Sequence, residues 1–237
     1  MPTIETIVSC PVHRSFGVEQ VAGMFDVPLA DRSRERYTVE IPGDDERWQI
    51  GLVVGPSGSG KSTVARAAWG DRVASPTAWA DDRAAIDGFG AAPLREVTSL
   101  LTAVGFGSPP SWIKPYSILS QGERFRCDLA RALLNVECGA RIAELGEEST
   151  SSFSAFPLVV FDEFTSTIDR RAAKIASAAI AKAIRDGKIL RRFVAVTCHY
   201  DVAEWIEPDW VLDMAHGPPQ RGRPPRGRGR RANPPPA

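Results

Sequence analysis

Eight consecutive residues constrain this chain more than any other feature. Gly55, Pro56, Ser57, Gly58, Ser59, Gly60, Lys61 and Ser62 satisfy the pattern GxxxxGK[ST] at every defined position. The run before them, residues 50–54 (IGLVV), is short and apolar and reads as a buried parallel strand. Residues 62–69 follow with helical character, and Thr63 is counted with the phosphate-binding residues. Glycines between strand and helix let backbone N–H groups turn inward around anionic oxygens, and the helix N-terminus adds its positive dipole end. Lys61 is placed to reach the β- and γ-phosphates of a nucleotide, and the Ser62 hydroxyl to ligate Mg2+. Eight matched positions with the right flanks leave little room for an incidental turn.

Such a cradle needs a second strand that delivers an acid to the metal. Residues 158–161 (LVVF) are all apolar, and Asp162 and Glu163 follow at the C-terminal end, where α/β sites lie. Asp162 would hold Mg2+ through its water shell, and Glu163 would polarise the attacking water.

The remaining sequence is organised around these two segments. Residues 17–27 read as a short strand region, and residues 37–41 as an edge strand closed by the turn Pro42, Gly43, Asp44. Residues 94–104 and 121–136 read as helices, 171–185 as an Ala-rich helix closed by Gly187, and 193–197 as a third strand. Strands alternating with helices imply an α/β fold with a mostly parallel sheet flanked by helices and an antiparallel edge. A chain of 237 residues can bury one sizeable core, and 43% hydrophobic with 24% charged residues is the profile of a soluble globular protein.

No apolar run approaches the ~18 residues that a membrane-crossing helix needs. The N-terminus lacks the cationic patch and apolar stretch of a secretory signal. Cys10, Cys127, Cys138 and Cys198 include no CxxC pair and read as reduced thiols, mostly buried, so the cytoplasm is the expected compartment. Cys10 and His13 have a ligand-like spacing but no second pair. Cys198 beside His199 reads as core, because adjacent strand-end residues point apart.

The formal net charge of zero conceals a split. From His216 onward the chain holds six arginines, seven prolines, four glycines and no acid, which leaves residues 1–215 with 23 basic and 29 acidic residues. A tail of that composition, residues 216–237, cannot bury a core and is expected to be disordered. Arg-Gly runs can bind nucleic acid, but an acidic body is a poor general DNA surface.

Leu119, Ser120, Gln121, Gly122 and Glu123 open the helix that precedes the second strand, and here the sequence resembles the ATP-binding cassette (ABC) ATPases. The segment reads LSQGE against the family's LSGGQ signature, and Asp162 to Asp169 (DEFTSTID) looks like its DEPTSALD. His199, 36 residues beyond Glu163, falls where the family carries its switch histidine. The segments SQGERFRCDLAR and CHYDVAEWIEPDWV look most like a soluble prokaryotic group, in which the ATPase is sometimes fused to an acetyltransferase domain that is not expected here.

The resemblance implies a P-loop NTPase of ABC type over residues 1–215, with a small helical subdomain at about 88–136. It implies ATP and Mg2+ as ligands, Lys61, Glu163 and His199 as catalytic residues, and a head-to-tail homodimer. In that dimer Ser120 and Gly122 of one subunit contact the γ-phosphate held by the other. The adenine-stacking aromatic would be Phe25, with Tyr37 as the runner-up.

Three departures from the family accompany the match. The Q-loop glutamine has no clear counterpart: Gln49 and Gln121 are misplaced, and Asp87 is the nearest candidate. Lys61 to Ser120 spans only 59 residues, too few for coiled-coil arms. Ser120 to Asp162 spans 42, so a surface loop is expected between Cys138 and Phe156. The expected function is an ATP-driven switch; a membrane transporter's nucleotide-binding subunit and a nucleic-acid-processing ATPase are the alternatives.

Overall fold

In the computed structural model, which describes residues 3–43, 46–74, 78–134, 156–215 and 220–221, the chain begins with strand β1 (Thr3–Pro11), helix α1 (Phe16–Phe25) and strand β2 (Arg32–Glu40). β1 and β2 pair antiparallel from Thr3 opposite Glu40 to Pro11 opposite Arg32, as a separate two-stranded sheet. Helix α1 replaces the strand expected over 17–27. Ser15 Oγ accepts the Val18 N–H at the N-terminus, and Asp26 closes the other end in the left-handed region at φ 52°. That cap lies just before the window read as strand. β2 starts five residues earlier than expected, and β1 was not anticipated at all: Arg34, Glu35 and Arg36 are weak strand formers until a partner strand pairs with them.

The main sheet is built from β3 (Ile50–Val54), β4 (Leu158–Phe161), β5 (Arg192–Thr197), β6 (Trp210–Asp213) and β7 (Gln220–Arg221), in the order β4-β5-β3-β6-β7. The first four are parallel, and β7 runs antiparallel to β6. Helix α2 (Lys61–Trp69) follows β3. The chain from there to β4 carries helices α3 (Leu94–Ala103), α4 (Pro109–Trp112) and α5 (Gln121–Leu134), with 3-10 turns at Ala85–Phe89 and Tyr116–Ile118. Helix α6 (Arg170–Arg185) joins β4 to β5, and α7 (Val202–Ile206) joins β5 to β6. The fold is α/β, with a mostly parallel sheet between helices and an antiparallel sheet alongside.

Burial explains why the main strands were legible. All of β3 and β5 is buried, so both faces demand apolar residues. Ile50, Leu52, Val54, Phe193 and Ala195 face a core with α3, α5 and α6; Val53, Val194 and Val196 face a second with Val64, Ala65 and Trp69 of α2. Gly51 lies opposite Trp210, and a Cβ there would stand 2.2 Å from the indole. Its absence lets Trp210 sit edge-on to Trp48 at 5.5 Å between ring centres. Gly187 (φ 69°) ends α6: its N–H reaches the Ile184 carbonyl and that of Lys188 the Ala183 carbonyl.

The loop expected after Cys138 lies outside the described residues except for Phe156, and so does Cys138. Within the tail, Gln220–Arg221 are described, and they satisfy part of the free edge of β6. Among the described residues no helix is long and apolar enough to cross a membrane. The cysteines are less buried than expected: Cys127 is enclosed, and burial pushes its thiol up to about 12, but Cys198 is partly exposed and Cys10 lies on the surface of β1.

Candidate functional site

Three adjacent parallel strands deliver the candidate residues to one edge of the sheet. Val54 of β3 lies opposite Thr197 of β5, and Phe161 of β4 opposite Ala195. The turn at Gly55, the pair Asp162–Glu163 and the turn at His199 therefore leave the same C-terminal edge, where α/β folds bind ligands.

The loop 55–60 folds tightly into α2. Gly58 and Gly60 take positive φ, 80° and 84°, and Gly60 caps the helix. The Ser59 N–H donates to the Pro56 carbonyl, and Lys61 Nζ donates to the same oxygen at 2.8 Å. Lys61 is only 7% exposed. A buried ammonium resting on a backbone carbonyl is poised to exchange it for a stronger acceptor. Ser59 Oγ is buried with no hydrogen-bond partner, a donor directed into the loop.

Two side chains wall the loop. A Cβ on Gly60 would lie 2.4 Å from the Tyr37 ring, and one on Gly55 would lie 2.9 Å from Met214. Both residues also line a cavity of about 360 Å3 between β2 and the end of β6. Tyr37 is thus the aromatic that meets the loop, whereas Phe25 sits 70% exposed at the end of α1. The Tyr37 hydroxyl donates to Glu35, a bond that raises its pKa, with smaller contributions from burial and from the carboxylate's charge.

Ser62 and Asp162 meet across one hundred residues of sequence: the Ser62 hydroxyl donates to Asp162 Oδ1 at 3.0 Å. The same oxygen accepts the Glu163 N–H at 3.0 Å. Glu163 and Thr165 both hold positive φ, 54° and 64°, unusual for residues with side chains. Phe164 between them is fully buried against Phe125, Phe161 and Phe193, and its N–H bonds the Val196 carbonyl. That anchor holds the turn and leaves Glu163 exposed at the edge. Among the described residues no three His, Cys, Asp or Glu cluster to hold a metal. The Ser62 hydroxyl and the Asp162 carboxylate are oxygen donors of the kind that would hold a Mg2+ ion, which needs few protein ligands because it keeps several waters.

The N-terminus of α5 is more closed than the sequence led one to expect. The Ser120 N–H and hydroxyl both donate to Glu123 Oε2, at 3.0 and 2.8 Å. Ser-x-x-Glu is a capping box, and the Glu123 N–H returns to Ser120 Oγ at 3.4 Å. Burial opposes ionisation of Glu123, but bonds from Ser120 and Ser111 and the nearby Arg126 outweigh it and keep its pKa below the ordinary value. Gly122 packs closely on Arg126 and Ala172. His199 is partly exposed, with its N–H on Thr197 Oγ1 at 3.2 Å, and Asp87 is exposed on its 3-10 turn.

A cluster that no sequence pattern announced supports α5 from beneath. The Trp79 and Tyr116 rings stack 4.5 Å apart and 5° from parallel, and the Arg131 guanidinium lies 3.7 Å above Trp79. Asp128 accepts from Trp79 Nε1 at 2.7 Å and from the Tyr116 hydroxyl at 2.8 Å. Arg124 bonds the carbonyls of Tyr116 and Ser117, just before Ser120. Asp128→Ala would leave both donors, Trp79 Nε1 and the Tyr116 hydroxyl, without the acceptor they share. It is expected to lower unfolding stability by about 2 kcal/mol or more, read as a drop in the urea midpoint. Unchanged stability would show that the cluster holds nothing together.

No family model matches the sequence, and no curated protein matches it. Solved structures do. One is the dimeric structure of MJ0796, a bacterial ABC transporter cassette; another is the dimeric structure of a post-hydrolysis state of that cassette bound to ADP and Pi. Each alignment has 15% identity, covers 78% of this chain and 88% of the other, and gives a TM-score of 0.51. The chain therefore has the fold of these ATP-binding cassettes.

Proposed function

We propose that this chain is a soluble ABC-type ATPase, which binds Mg-ATP on residues 55–63 and hydrolyses it in a head-to-tail homodimer, as an ATP-driven switch. The observation that carries the proposal is the 3.0 Å bond between Ser62 and Asp162, which brings together the loop hydroxyl and the second-strand acid. Those two groups would hold Mg2+, which when bound neutralises phosphate charge and fixes the nucleotide's orientation. Lys61 leaves the Pro56 carbonyl for the β- and γ-phosphates, and the unpaired Ser59 hydroxyl and the loop N–H groups add donors. Glu163 orients and polarises the attacking water, and His199 lies at the neighbouring strand end to meet the γ-phosphate. Tyr37, between loop and cavity, offers the ring for the adenine in preference to Phe25.

The ATPase unit is residues 1–215, with residues 88–136 as its helical subdomain. The dimeric cassettes of like fold support a two-copy arrangement, with Ser120 and Gly122 of each copy facing the other's loop. Calorimetry with Mg-ATP tests the assignment. Lys61→Ala should bind more than tenfold more weakly than wild type, a loss of at least ~1.4 kcal/mol. Equal affinity would remove the loop from the site.

A further inference from the structure

Arg170 is the first residue of α6, directly after the Asp169 cap, and its guanidinium reaches two other segments. Nε donates to Asp201 Oδ2 at 3.0 Å while Nη2 donates to Oδ1, a two-pronged pair. Nη1 lies 3.5 Å from Thr165 Oγ1, and the guanidinium sits 4.8 Å from the centre of the Trp205 ring on α7. Thr165 belongs to the positive-φ turn that presents Glu163, and Asp201 to the turn in which the Val202 N–H bonds the His199 carbonyl. The fork therefore ties the turn that carries Glu163 to the turn that carries His199.

We infer that Arg170 and Asp201 form a positioning pair that holds Glu163 and His199 in register for hydrolysis. The inference rests on the ATPase reading above. Both side chains are well exposed, 37% and 45%, and such a pair contributes little to overall stability. Its effect is geometric instead: a planar fork on a carboxylate fixes distance and angle together, and a misplaced water-activating group slows the chemical step without weakening binding.

A double-mutant cycle on the full chain tests this. Arg170→Met keeps an apolar stem over Trp205, and Asp201→Asn keeps the shape, so both should melt within a few degrees of wild type. Each is expected to lower kcat at least tenfold with KM within twofold, and the double variant should lose no more than the worse single one. Arg170→Lys should stay impaired, because one ammonium cannot hold both carboxylate oxygens. Wild-type kcat in either single variant, or losses that multiply in the double, would overturn the pair. Glu163→Gln in the same assay separates the two ideas. If it abolishes hydrolysis while Arg170→Met does not change it, only the positioning pair fails; a wild-type protein that hydrolyses no ATP fails the ATPase reading itself.

Discussion

Glu163→Gln should bind Mg-ATP as the wild type does and lose hydrolysis by roughly 10²-fold or more. The glutamine has the same shape and can take the same backbone conformation, φ 54°, because the buried Phe164 dictates that turn. The residue 163 N–H keeps its bond to Asp162 Oδ1, so the bond between Asp162 and Ser62 stays in place. What disappears is the negative carboxylate that orients water and accepts its proton. With binding intact and turnover blocked, a dimer of ATP-bound chains should accumulate. Size-exclusion chromatography with Mg-ATP would detect it, and the wild type under turnover would show less. Hydrolysis at the wild-type rate would move the base elsewhere, with His199 at the next strand end as the first candidate.

How much was legible beforehand depended on the range of the interaction that fixed each element. β3, β4 and β5 could be read because burial on both faces writes an apolar run of four or five residues into each strand. The tight turn from Gly55 into α2 was legible because its glycines and the apolar strand before it lie in one contiguous segment. Asp162 was found one hundred residues away from Ser62 because it too sits at a strand end with a fixed pattern. The β1–β2 sheet was legible only in part: 37–41 read as a strand, but its partner β1 did not, because the register matches Ile4 with Val39 and Thr6 with Tyr37, over thirty residues apart, and the intervening charges mask the alternation. Helix α1 has its start signal at Ser15, two residues before the stretch 17–27 whose apolar residues read as strand. The Trp79–Tyr116–Asp128 cluster and the Arg170–Asp201 fork join residues 12 to 49 positions apart, and only the fold brings them together. The Ser120–Glu123 box is different. It was local and readable, yet the signature reading had already claimed both residues.

That box sharpens the test of the two-copy site. Within one chain the Ser120 hydroxyl is committed to Glu123, and helix α5 caps itself. A γ-phosphate brought by a second copy would have to draw that hydroxyl and the first N–H groups of α5 away from the carboxylate. Ser120→Arg places a long side chain in the approach and removes the cap. It should leave ATP binding by the single chain nearly intact, block dimer formation and reduce hydrolysis to background. Loss of the cap alone costs about 1 kcal/mol, too little to unfold a domain of this size. Mixing Ser120→Arg with Lys61→Ala protein separates a lost surface from a lost fold. The heterodimer contains one site with both defects and one with neither, the second pairing the intact loop of the Ser120→Arg chain with the intact α5 of the other. Activity should return in the mixture although each protein alone is inactive, and it should scale with the heterodimer fraction as the ratio is varied. Normal hydrolysis by Ser120→Arg as a monomer would reduce the N-terminus of α5 to a structural cap.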